Sequence, residues 1–128
     1  MSRSTVPGRH GVSVRALASH GADRATVVTA GEIDAANARQ FADAVLVHVN
    51  RSTRLVLDLT RVTFMAVDGL SALHAINAEL MRTGVEWELL PSVEVHRLLE
   101  VCRVGSLLPT LPPAARPASL LRVGGRTA

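Results

Sequence analysis

Asp58, Thr60, Thr63, Asp68 and Ser71 gather carboxylates and hydroxyls into one short stretch of this chain. The chemistry open to them is phosphoryl transfer: a carboxylate can take up an aspartyl phosphate, and a hydroxyl a stable phosphoester. An aspartyl-phosphate switch on Asp58 or Asp68 wants clustered acids around a metal and a basic partner, and the chain has no lysine. That switch is not expected. For the hydroxyls of Thr60, Thr63 and Ser71 a solvated or backbone-bonded role is the ordinary one. The histidines at 10, 20, 48, 74 and 96 show no paired ligand spacing, which argues against a metal centre. Cys102 falls on the apolar face of a predicted helix, so burial and inertness are expected of it. Gly124-Gly125 precedes no helix and makes no phosphate loop. No catalytic constellation converges, and the expectation is a protein that is not an enzyme and needs no cofactor.

The elements that must position these groups follow from periodicity. Leu55–Leu59 is an aliphatic run with the character of a central strand buried on both faces. Residues 60–67 then read as a loop, and Leu73, Ile76, Leu80 and Met81 recur at helical spacing. Asp68 therefore stands where that helix begins and suits its N-cap, a role worth about 1 kcal/mol. Gly84 is the natural left-handed cap at its end. Upstream, Val12, Val14 and Leu17, then Ala25 to Ala30, predict a hairpin turning at residues 19–23. Asp34 suits the cap of a first helix over 35–49, with Phe41, Val45 and Val49 on one face. Downstream, residues 86–90 alternate like a strand ended by Pro91. Ser92 caps a third helix with Val95, Leu98, Leu99 and Cys102 on one face, stopped by Gly105, and residues 106–108 form a short edge element.

The order predicts an α/β class: one domain over residues 11–109, a mixed four- or five-stranded sheet flanked by helices, with right-handed crossovers. Residues 1–10 and the proline-rich 110–128 read as flexible segments, dispensable for folding. A chain of 128 residues suffices for one core without staples. One cysteine cannot form an internal disulfide. No apolar run reaches a bilayer-spanning length, and no secretory h-region follows the first ten residues, so a cytoplasmic protein without a membrane span is expected. The net charge of +3 does not signal nucleic acid, because residues 22–110 hold eight arginines and all eleven acids, while the flanks hold six arginines and no acid. A basic patch with interleaved aromatics is missing, and no direct nucleic-acid binding is expected.

Gly31-Glu32-Ile33-Asp34 before the first helix, and Leu57-Asp58-Leu59 through Phe64-Met65 to Gly69-Leu70, resemble the STAS domain of the anti-sigma factor antagonist family over roughly residues 12–108. The resemblance implies a binding module that competes for a partner, an anti-sigma factor of the serine kinase type, and so frees a sigma factor for transcription. In the family the loop reads Asp-Ser-Ser-Gly-Leu, and phosphorylation of the second serine by that partner causes release. Here the five positions are Ala66, Val67, Asp68, Gly69 and Leu70. Asp68 thus occupies the phosphoacceptor position, and regulation by phosphorylation there is not expected. The resemblance further implies a partner surface made of Glu32, Asp34, Asp68 and Gly69. A STAS-like accessory subunit of a lipid or solute transport system is the alternative reading.

Overall fold

The computed structural model describes residues 3–6, 11–17, 24–49 and 53–111. Their strands are Arg3–Val6 (β1), Val12–Ala16 (β2), Arg24–Ile33 (β3), Arg54–Met65 (β4) and Glu86–Pro91 (β5), and their helices Ala38–His48 (α1), Val67–Thr83 (α2) and Val93–Val101 (α3). The sheet follows chain order: β1, β2 and β3 pair antiparallel, then β3, β4 and β5 run parallel. β3 is the middle strand, and β4 is the centre of the parallel half. β1 lies in the segment expected to be flexible and instead pairs with β2 from Arg3↔Arg15 to Val6↔Val12. The hairpin turn at 19–23 and the tail from Pro112 lie outside the described residues.

Two crossovers that step the same way across the sheet, if right-handed, put α1 and α2 on one face, and the two helices pack on each other. The strands respond with a period of two. In β4, Leu55, Leu57 and Leu59 are buried, whereas Val56, Asp58 and Thr60 between them are only partly so. The expectation of burial on both faces is corrected: helices cover one face, so only alternate residues are sealed. One cluster joins Val14, Val27, Leu57 and Leu89 to Phe41, Val45, Leu73 and Ile76 of the helices and to Val95 and Leu99 of α3. Each such side chain contributes about 1.5–3 kcal/mol on leaving water. Met81, expected on the buried face of α2, points outward at 71% exposure; Leu70 and Ala72 take its place.

Helix ends show where capping chemistry decides. Gly84 adopts φ +78° and its N–H closes α2 onto the carbonyls of Leu80 and Met81, as only a residue without Cβ does at little cost. Ser92 caps α3, its hydroxyl accepting from the Val95 N–H at 3.1 Å. At the far end Arg103, not Gly105, takes the left-handed conformation (φ 57°), and Gly105 opens a short 3₁₀ turn through Leu107. The expected edge element lies slightly later: Thr110 bridges Leu89 in parallel, with the Leu89 N–H donating to the Pro109 carbonyl at 2.9 Å.

Candidate functional site

β4 does not stop at Leu59. It continues to Met65 because two irregularities let it follow β3 to its end: Val28 pairs with Asp58 but Ala30 with Arg61, and Gly31 with Val62 but Glu32 with Phe64. Each step inserts one extra residue in β4, a bulge. At the first, Asp58 supplies the missing acceptor. Its Oδ1 takes the Thr60 N–H at 2.8 Å and the Thr60 hydroxyl at 2.6 Å. Asp58 thus has a structural task and lies in mid-strand, on the strand rather than beside Asp68 in α2. At the second bulge alternation breaks, and Thr63 and Phe64 are both exposed in succession. Thr63 donates to the Gly31 carbonyl at 3.3 Å.

The ends of β3 and β4 are stitched into one surface. The Ala66 N–H, just before α2, donates to the Ile33 carbonyl at 2.8 Å. Beyond Ile33, the Asp34 carboxylate accepts from the N–H groups of Ala36 (2.9 Å) and Asn37 (3.2 Å). Asn37 returns the bond: its Oδ1 accepts from the Asp34 N–H and its Nδ2 donates to the Glu32 carbonyl, each at 2.9 Å. Asn37 is 1% exposed. The loop is held by a buried amide, since a buried polar side chain is stable only when its bonds are made. Asp34 therefore caps a turn over 35–37, and α1 begins at Ala38 rather than at residue 35. Gly31, at φ +109°, is needed upstream because a Cβ there would lie 2.3 Å from the Gly11 carbonyl oxygen.

At the start of α2 the cap is Ala66, which offers no side-chain bond. Asp68 is therefore not the cap. It sits in the first turn, exposed, as the acid of that turn, where free N–H groups favour negative charge. Gly69, expected to take part in the partner surface, is buried. A Cβ on it would meet Met65 Cγ at 2.4 Å and Sδ at 2.9 Å, and Ile33 Cγ2 at 3.3 Å. Its small size lets α2 seat on the ends of β3 and β4, a tertiary packing need rather than access for a partner.

The structure accordingly brings Glu32, Asp34 and Asp68 to one end of the sheet, with Gly69 buried beside them. It adds two residues that sequence reasoning passed over, Phe64 at 49% and Val67 at 62% exposure. The signal available was the Phe-Met pair after a run of strict alternation, which leaves one of two bulky neighbours outside. Of the other candidates, Thr60 is engaged by Asp58, and Ser71 is exposed on α2. Cys102 is half-buried beside the core rather than sealed in it. His48 is half-buried with its Nε2 unpartnered, and His96 pairs with Glu100 at 3.3 Å. His10, His20 and Gly124-Gly125 lie outside the described residues. Among the described residues no group of three or more His, Cys, Asp or Glu could hold a metal, and no helix is long and apolar enough to cross a membrane.

This fold has counterparts among known proteins. The family model of the STAS domain matches residues 16–114. The chain belongs to the STAS domain family. Solved STAS-like folds align over most of it: an anti-sigma factor antagonist from Mycobacterium paratuberculosis (TM-score 0.66, 21% identity, 86% of this chain and 92% of that one). The anti-sigma factor antagonist SpoIIAA in its unphosphorylated form gives a TM-score of 0.57 at 18% identity, over 90% of this chain and 99% of that one. In sequence, osmosensory protein A of Mycobacterium tuberculosis is 37% identical over 90 residues, which is 66% of this chain. The STAS chain described here spans only 52% of that relative.

Proposed function

We propose that this STAS domain is an anti-sigma factor antagonist: a binding protein without catalysis of its own that captures a kinase-type anti-sigma factor and thereby frees a sigma factor. The partner surface is the sheet end where Glu32, Asp34 and Asp68 meet, with Gly69 serving it only by letting α2 seat against Met65. The observation that carries the reading is Asp68 itself, exposed in the first turn of α2 at the position where the family bears its phosphoacceptor serine. A carboxylate there forms no stable phosphoester. It also mimics phosphoserine incompletely, with one charge and two oxygens against about −1.5 to −2 charges and three acceptor oxygens. Binding is therefore constitutive and phosphorylation at this position plays no part.

The test is to recover the bound kinase-type anti-sigma factor from native lysate, then incubate it with ATP and either wild type or Asp68→Ser. Wild type is expected to stay unmodified by mass spectrometry and bound by calorimetry, and Asp68→Ser to gain phosphate and lose affinity. Stoichiometric phosphate on wild-type Ser71, Thr60 or Thr63 that weakens binding would show a displaced switch, and retention of no kinase-like protein would refute the antagonist reading.

A further inference from the structure

We propose that the open face of the sheet, beside Glu32 of the partner surface but without resting on the partner reading, holds a small molecule bearing two oxyanion groups between Arg15 and Arg61. The two residues border a depression of about 230 Å³ whose other walls are Ser13, Val28 and Ala30. Alternation along β2 puts Ser13 and Arg15 opposite the buried Val12 and Val14. Register carries the same face across the sheet: Arg15 pairs with Val28, Ser13 with Ala30, and Ala30 with Arg61. The arginines thus stand two strands apart and two residues out of line, about 12 Å at the backbone, with Ala30 and the buried Val28 forming the floor between them.

Neither arginine has an ion-pair partner among the described residues. Two carboxylates share this face: Asp58 beside Val28, its Oδ1 accepting from Thr60, and Glu32 two residues beyond Ala30. Two guanidinium forks left open on one concavity match carboxylate or phosphate oxygens, which they bind bidentately. The volume falls below the roughly 300–1,000 Å³ of drug-sized pockets, so the occupant is a small di-anion rather than a nucleotide-sized molecule. The chain's own C-terminal segment does not complement the site, because residues 112–128 carry three arginines and no acid.

The experiment is a titration of the isotope-labelled full chain, followed by amide chemical shifts, with sodium pyrophosphate and with citrate at constant ionic strength. Saturable shifts are expected at Ser13, Val28 and Ala30 with a Kd of about 1 mM or tighter. Arg15→Gln and Arg61→Gln should each weaken binding about ten-fold or more, the loss of one charge-assisted fork. Arg61→Lys, which keeps the charge but not the fork, should weaken it less, and Arg97→Gln on α3 should leave it unchanged. Spectra of the free variants report whether each is folded. Shifts that do not saturate, or equal affinity in the Arg15 and Arg61 variants and wild type, would overturn the proposal. A hexaglutamate peptide binding more tightly than both small anions would also overturn it, assigning the face to an acidic peptide.

Discussion

Adding one methyl group at Gly69 should cost stability for a reason that a second substitution can cancel. Gly69 lies in α2 on ordinary backbone, so alanine is conformationally allowed there. In a helix interior that change is favourable by about 0.8–1 kcal/mol, an upper limit here because Gly69 is the third residue of α2. Against it stands the buried Met65, whose Cγ and Sδ would lie 2.4 and 2.9 Å from the new Cβ, inside any real contact distance. Overpacking of this kind costs about 1–3 kcal/mol. The net expectation for Gly69→Ala is therefore a loss of up to about 2 kcal/mol, or several degrees in Tm for a domain of this size. Met65→Ala alone should cost about 2–5 kcal/mol by leaving a cavity. In that background the clash is gone, and Gly69→Ala should turn neutral or stabilising by up to about 1 kcal/mol. Urea unfolding of the four proteins, followed by circular dichroism, gives the coupling directly. Equal effects of Gly69→Ala in both backgrounds would refute the reasoning, since Met65 would then not be the residue that forbids a side chain. The same geometry predicts that Gly69→Arg, with a far larger side chain against Met65, lowers stability by more than Gly69→Ala does.

Asn37→Ala should destabilise the chain by about 1–3 kcal/mol, because it leaves the Asp34 N–H and the Glu32 carbonyl without the partners that Asn37 supplies at 2.9 Å; a loss below 0.5 kcal/mol, roughly the range of ordinary surface substitutions, would mean that water replaces both bonds. Cys102, half-buried where α3 ends, should react with a thiol reagent in the native state more slowly than after denaturation, yet measurably; native labelling as fast as in the unfolded chain would place its sulfur in open solvent.

The periodicity and punctuation of the sequence determined most of the elements. Phe41, Val45 and Val49 on one face, Gly84 and Ser92 as caps, and the apolar alternation of the strands are short-range signals, written by the few residues that feel each local geometry. The same signals, read in order, identified the crossovers, and the quoted motifs identified the family. Tertiary structure alone decided the rest. Whether Thr60 to Met65 is loop or strand depends on β3 lying alongside to pair with it, and on bulges that no local propensity records. Whether Asp68 caps a helix or stands exposed in its first turn depends on Ala66 being drawn to the Ile33 carbonyl, a partner more than thirty residues away. Gly69 looks like a surface glycine until Met65 and Ile33 are packed over it. Arg15 and Arg61 become neighbours only through the register of three strands. In each case the deciding contact is long-range, and a chain read along its length carries the residues but not their meeting.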